Sequence, residues 1–444
     1  MNQPSETAAM PLNDKKTINA WCSYDWSNSV YNLTITAAIF PVYYSATTRE
    51  AFGGDMLNFF GLEIKNTVLY TYAISFSFLI IVFLSPILSG IADYSGRKKF
   101  FMRLFTYTGS LACLALYFFH GGNIEYGITC AVLASVGYAG ALVFYNAFLP
   151  EIATPDRLDR VSAKGFSMGY IGSVILLVAN LVLIMNYEAF GIASTGEATR
   201  LAFLQVGIWW FLFSHIAFKY LKDRPTGNKL SKKVIGKGFE ELTEVLAQLR
   251  SRHVSIRFLT AFFFYSMGVQ TVMLLAPLFA EAEINMQSDK LIMVVLLLQI
   301  VAVLGAYVFA FISEKKGNKF SLMLAVLIWM GVCVGGYLLQ EEYQFFILAA
   351  VLGFVMGGVQ SLSRSTYSKL IPETSKDTAS FFSFYDITEK VAIVIGTFSY
   401  GFIEQLTGSM RNSLLAMIIF FILGAAFLAT ANMGFMRKGA KAVV

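Results

Sequence analysis

Apolar runs of roughly 20 residues or more alternate along the chain with short polar turns, the length a helix needs to cross a bilayer. They fall near 18–46, 67–91, 100–119, 125–149, 163–187 and 200–221. After a basic stretch they resume near 256–281, 290–313, 320–340, 343–370, 379–405 and 411–436. Six runs on each side of one connector predict an all-α integral membrane protein with twelve transmembrane helices in two pseudo-symmetric six-helix bundles. The organisation expected is an N-terminal segment (1–17), a first bundle (18–221), a basic linker (222–255), a second bundle (256–436) and a tail (437–444).

The turn after the second run reads Ser89-Gly90-Ile91-Ala92-Asp93-Tyr94-Ser95-Gly96-Arg97-Lys98-Lys99. An acid closes one helix, a glycine makes the turn, and three cations open the next. Half a chain later the pattern returns in Glu314-Lys315-Lys316-Gly317-Asn318-Lys319, so that Asp93, Gly96 and Lys98 map onto Glu314, Gly317 and Lys319. A second landmark repeats at almost the same offset: Leu149-Pro150-Glu151 after the fourth run and Ile371-Pro372-Glu373 after the tenth. The chain therefore reads as a duplicated six-helix half, and parallel repeats of this kind are a transporter architecture.

Composition supports lipid as the solvent. The chain is 56% hydrophobic and 14% charged, against about 25% charged in soluble domains. Its net charge of +6 does not argue for nucleic acid, because the cations cluster in short loops beside apolar runs. With the N-terminus placed in the cytoplasm, all but six of the 34 Lys and Arg fall on cytoplasmic segments or in the cytoplasmic ends of spans. The exceptions are Arg49, Lys65, Arg200, Lys290, Arg411 and the intraspan Lys390. Both termini are then expected to be cytoplasmic. No removable signal peptide is visible. In the linker, Phe239, Leu242, Val245, Leu246 and Leu249 recur at helical spacing among acids, predicting an amphipathic helix that lies on the membrane surface or serves as a solvated linker. The four cysteines lack paired spacing, the three histidines are scattered, and no phosphate-binding glycine loop is present. Disulfides, metals, cofactors, ATP-driven pumping and enzymatic chemistry are not expected.

Polar side chains inside spans are expensive and face a cavity or one another. On the first span Tyr24, Asp25, Asn28 and Asn32 form one polar stripe at helical spacing. Asp25 is then a proton carrier, a partner for a substrate amine, or a buried acid that fixes helix packing. On the eleventh span Asp386 and Lys390 stand at the spacing of an intrahelical ion pair, and Glu389 adds an acid that the pair leaves unneutralised. That group serves coupling or is a structural ion cluster. Arg364, with Gln360, lies on the tenth span, where a guanidinium can fork onto a carboxylate, snorkel, or bind Asp25. Asn146 on the fourth span, Gln270 on the seventh and Gln299 on the eighth are neutral polar candidates. Gly165, Gly169 and Gly172 form a small-residue stripe suited to close helix contact.

Helix number, repeat and loop pattern together resemble the major facilitator superfamily. Asp93, Gly96, Arg97 and Lys98 fit its loop motif, whereas Ser89 and Tyr94 depart from it. A narrower resemblance rests on Tyr24-Asp25-Trp26-Ser27-Asn28-Ser29, Asn146-Ala147-Phe148-Leu149-Pro150-Glu151, Val161-Ser162-Ala163-Lys164-Gly165-Phe166-Ser167-Met168-Gly169-Tyr170-Ile171-Gly172 and Gly358-Val359-Gln360-Ser361-Leu362-Ser363-Arg364-Ser365. A further block runs from Phe381-Phe382-Ser383-Phe384-Tyr385 to Lys390 and Gly396. These resemble the vacuole-effluxer, or unknown-major-facilitator, family, whose fungal members are described as exporters of amino acids from the vacuole. Where the family pattern has an acid in the seventh span, Ser266-Met267 precede Gly268-Val269-Gln270-Thr271, which puts an inherited proton-coupling scheme in doubt.

The expectation is a secondary transporter of a small polar solute, amino acids first, working by alternating access with H+ or Na+ as the possible coupling ion. Spans 1, 4, 7 and 10 would line a midplane cavity. Asp93 would latch against the start of the eleventh span, near Asp377 and Thr378, and Glu314 against the fifth. A monomer in a bacterial inner membrane is expected to suffice. Other solutes (sugars, organic anions, choline-like cations), a channel or scramblase, and a receptor or scaffold on the same fold are the alternatives.

Overall fold

A computed structural model describes residues 10–226 and 232–433. The beginning of the expected N-terminal segment (1–9), part of the linker (227–231) and the 437–444 tail lie outside the described residues.

The first span is helix α1 (Lys15–Val30), a π-helical stretch (Tyr31–Ile39) and α2 (Phe40–Phe52). Asp14 starts it, its carboxylate accepting from the Thr17 amide at 2.9 Å and the Thr17 hydroxyl at 2.8 Å, so an otherwise orphan amide of the first turn is satisfied. Two short antiparallel strands follow, β1 (Met56–Phe59) and β2 (Leu62–Lys65). The remaining spans of the first half are α3 (Asn66–Ser95), α4 (Lys98–Ala115, prolonged by a 3-10 turn), α5 (Ile124–Ala147) with the short α6 (Leu149–Ile152), α7 (Leu158–Met185) and α8 (Thr195–Tyr220).

The linker helix α9 (Lys232–Ser251) is present, and Val245 and Leu249 on its apolar side are buried. The second half consists of α10 (His253–Ile284), α11 (Ser288–Lys316), α12 (Asn318–Tyr337), α13 (Glu342–Leu370), α14 (Thr378–Thr407) and the pair α15 (Met410–Ala416) and α16 (Ile418–Thr430).

Among the described residues, ten helices are long and apolar enough to cross a membrane. The two further expected spans are helical as well. One is the first, interrupted by its π-helical stretch, and the other is α14, which carries Asp386, Glu389 and Lys390. The two elements that fall short on apolarity or continuity are those with the densest candidate polar residues, as expected if those residues are retained for use rather than for insertion.

The chain divides into two compact units. Unit one runs up to Phe148 and includes Gly172–Leu242; unit two is Leu149–Ile171 together with everything from Thr243 on. Helix α7 is therefore shared, its first turns belonging to unit two and its remainder to unit one. Within unit two, α11 and α13 pack backbone to backbone. A Cβ on Gly357 would stand 2.0 Å from the Ala302 carbonyl oxygen, and one on Gly305 would stand 1.8 Å from that of Phe354. Lipid offers no hydrophobic drive between helices, so such close van der Waals contact holds them together.

Candidate functional site

In unit one, Asp25 is buried in α1, the N-terminal part of the first span. Its carboxylate accepts the Tyr145 hydroxyl at 2.7 Å, and Trp21 stacks on the same tyrosine with ring centroids 4.4 Å apart while donating to its backbone carbonyl. Tyr24 is turned elsewhere and bonds the Thr106 hydroxyl at 2.6 Å. Asn28 is fully buried, and its amide nitrogen has no partner among the described residues. Asn32 is exposed. The expected single stripe therefore ends at Asn28, because the π-helical stretch begins at Tyr31 and its wider turn rotates Asn32 off that face. Asn146 is half-buried beside Tyr145 in α5.

In unit two, the eleventh-span cluster is assembled. Lys390 Nζ lies 3.5 Å from Asp386 and 3.3 Å from Glu389, and Gln270 of α10 donates to Glu389 at 2.8 Å. One oxygen of Asp386 is buried and has no hydrogen-bond partner among the described residues. Glu389 retains 24% exposure of its side chain, against 8% for each of its neighbours, so it is the accessible edge of the cluster. Gln299 is half-buried on α11. A pocket lined by Val272, Phe279, Val332, Leu352 and Leu414 is apolar and contains none of the charged candidates.

Arg364 is buried on α13 but faces the first turns of α7. It donates to the Ser162 hydroxyl and carbonyl, both at 2.9 Å, and its guanidinium lies 4.0 Å over the centre of the Phe166 ring. One turn further along, Gln360 accepts the Tyr170 hydroxyl at 2.6 Å. In the other direction Lys369 pairs with Asp159 at 2.6 Å, and Asp159 also accepts from Ser313 and, at 2.8 Å, from Asn318. Asp159, Ser162, Phe166 and Tyr170 share one face of α7 and meet Lys369, Arg364 and Gln360 in reverse order on α13. The result is a polar zipper three turns long, buttressed by Ala163 packed among Ala306 and Ala310. Arg160 of α7 adds an exposed bond to Glu314. Glu314 thus contacts the fifth span through Arg160.

Sequence reasoning did not single out Asp159 or Lys369, and it held Ser162 and Asn318 only as members of longer motifs. Asp159 and Lys369 stand at the ends of apolar runs, where a charge reads as a solvated loop residue. Only the fold brings together positions some 200 residues apart.

The two copies of the repeated turn are built differently. In unit one Asp93 is buried and lies 3.5 Å from Lys98, while Arg97 is exposed. Gly96 has φ +65°, and a Cβ there would stand 1.9 Å from the Arg224 carbonyl oxygen. The segment after α8 is stitched to this turn: Arg224 donates its amide to Gly96 at 3.0 Å, Thr226 its hydroxyl to Tyr94 at 2.7 Å, and Asp223 accepts the Lys99 amide at 2.6 Å. Burial pushes the Asp223 carboxyl above its ordinary value, although Lys99 and Arg103 pull the other way. In unit two Gly317 has φ +89° with open space around it. Lys319 donates to the carbonyls of Ala429 and Ala431 at 2.5 and 3.0 Å. Lys99 does the same to Leu221 and Phe218, at 2.7 and 3.3 Å. Each half therefore uses one lysine of the turn to satisfy carbonyls at the end of its last span. In the first half that lysine is Lys99 rather than Lys98.

The sequence profile of the family described as "Vacuole effluxer Atg22 like" matches residues 13–441. The chain belongs to this family. Its relatives include an "Uncharacterized MFS-type transporter YxiO" of Bacillus subtilis, 32% identical, with 93% of this chain and 94% of the relative covered. Autophagy-related protein 22 of Saccharomyces cerevisiae is 25% identical, with 85% and 79% covered. Among solved structures the fold matches the transporter FucP (TM-score 0.70, 14% identity, 94% of this chain and 100% of that chain). It also matches the human organic anion transporter MFSD10 (TM-score 0.73, 12% identity, 96% and 100%). At such identities the structural likeness carries the fold alone. The chain is a multi-pass membrane protein of the major facilitator type, and the family resemblance read from its sequence blocks is borne out.

Proposed function

We propose that the chain is a secondary active transporter that moves amino acids across a bacterial plasma membrane by alternating access. The observation that carries this reading is the cluster of Asp386, Glu389, Lys390 and Gln270. It holds two acids against one base inside a span, with Glu389 at its accessible edge. An amino acid zwitterion presents the complementary pair. Its ammonium can take the Glu389 carboxylate while its carboxylate takes Lys390, so neither partner has to face a bare charge in a low-dielectric site. The residual anionic charge gives a coupling cation a place to act. The vacuole-effluxer family name and the amino acids attached to its fungal members support the same solute class.

The zipper between α7 and α13 supplies the conformational part of the mechanism. Arg364 is engaged with Ser162 and Phe166, so it serves here to hold α7 rather than to hold substrate. Opening the zipper removes several bonds together, which makes it a two-position element of the kind an alternating-access cycle requires.

The test is counterflow of labelled amino acids in proteoliposomes. Saturable counterflow is expected, reduced at least about tenfold in Glu389→Gln, as loss of a charge-assisted contact predicts. Absence of counterflow with every amino acid, or an unaltered rate in Glu389→Gln, would overturn the reading.

A further inference from the structure

The hairpin β1–β2 in unit one was not expected from sequence and is unlike an ordinary connecting loop. Its register pairs Leu57 with Ile64 and Phe59 with Leu62 on one face, and Met56 with Lys65 and Asn58 with Glu63 on the other. One face is therefore apolar and the other mainly polar. The base is fixed: Arg49 binds Asp55 at 2.5 Å, Asn66 donates its amide to the Asp55 carbonyl at 2.8 Å, and Leu57 is buried. The tip is the reverse. Phe60 is 76% exposed and Leu62 71%.

The turn itself is Phe60-Gly61, with φ +47° and +84°. Two-residue hairpin turns with both φ positive favour Asn, Asp or Gly, and a bulky aromatic in that conformation is strained. The ring meets the edge of Phe59, with centroids 4.8 Å apart, and is otherwise in the open.

What lies beside the tip identifies its surroundings. The Phe60 amide donates to Glu125 at 3.3 Å, in the first turn of α5. Its neighbour Tyr126, partly exposed, bonds the carbonyl of Ala115. From β2 the chain passes directly into α3, whose exposed residues Tyr72, Phe76, Leu79 and Phe83 recur along one face. A helix of 30 residues is about 45 Å long, whereas the hydrocarbon core takes about 20 residues. The apolar run of this span begins near residue 67, where α3 itself begins, so the hairpin that precedes it stands at the edge of the hydrocarbon core. Tyrosines are characteristic of that edge.

We propose that the hairpin is a membrane-interface finger: Phe60 and Leu62 insert into the lipid interface of the leaflet opposite the basic Gly96–Lys99 turn. Its polar face, with Asn58 and Glu63, looks to water. The finger anchors the outer end of α3 to the bilayer as an aromatic belt residue would, but from a rigid strand pair.

The test uses the full chain in vesicles of phosphatidylethanolamine and phosphatidylglycerol, with a nitroxide on a single introduced cysteine. The four native thiols are buried. Phe60→Cys and Leu62→Cys are compared with Asn58→Cys and Glu63→Cys, and Tyr72→Cys serves as the lipid reference. Collision with oxygen is expected to exceed collision with a water-soluble nickel complex at 60 and 62, with the order reversed at 58 and 63. Equal aqueous access at 60 and 58 would overturn the proposal. So would shielding of 60 from both reagents, which would mean that protein rather than lipid covers the tip.

Discussion

The two copies of the repeated turn share a plan and differ in what holds them. The first, Asp93 to Lys99, is clamped by backbone: residues 223–226 lie against it and fill the space where any side chain at Gly96 would go. The second, Glu314 to Lys319, is held by one carboxylate. Asp159 of α7 accepts from Ser313 and Asn318, which flank the turn, and pairs with Lys369. A backbone clamp has a single fit, whereas a bouquet of side chains around one charge can be assembled and released. The duplication has thus kept the lysine cap on the last span of each half, while backbone holds the first turn and side chains hold the second.

This contrast can be broken in steps. The largest effect is expected from Asp159→Ala, which leaves Lys369 buried without its partner. Removing one member of a buried pair costs about 3–5 kcal/mol, read as loss of thermal stability in detergent, and Asp159→Asn should restore only part of it. Next, Gly96→Ala should cost about 2–4 kcal/mol, combining left-handed strain with a clash against the Arg224 carbonyl. Gly317→Ala, with strain but no clash, should cost about 1–2 kcal/mol. Equal losses at the two glycines would remove the distinction between the joints. Smaller still, Arg160→Ala should change stability by less than about 1 kcal/mol, because Arg160 is largely exposed and such pairs are screened.

The finest test is one of pH. The Asp223 carboxyl is raised in the folded state, so the fold binds its proton more tightly than the unfolded chain does. The corresponding stabilisation is fully present below the ordinary value of 3.8 and is lost as pH rises through the folded value. Asp223→Asn should flatten the stability profile over that window.

The spans, the repeat and the family were legible in the sequence because bilayer thickness imposes a length that loops do not imitate, and because the family blocks are contiguous. The cluster on α14 was legible too, since Asp386 and Lys390 are one turn apart. The zipper was not: Asp159 and Arg364 take their meaning from partners that only the fold brings near. Nor was the hairpin, whose residues 56–65 fall between two apolar runs and are too few to display an alternation. Arg364 marks the boundary. Its burial in a span was readable, but its partners Ser162 and Phe166 were not.

The first span is fastened at two levels. Below the π-helical stretch, Trp21, Tyr24 and Asp25 tie it to α4 and α5; above it, Tyr43 and Tyr44 tie it to Phe119 and Asn66. Between these fastenings, nine residues follow a wider path than an α-helix would. A return to ordinary winding would change both the rotation and the length of that stretch. The first span is thus two rods joined by a torsional coupling. Such a change of winding would carry the exposed Asn32 round relative to the line of Asp25 and Asn28.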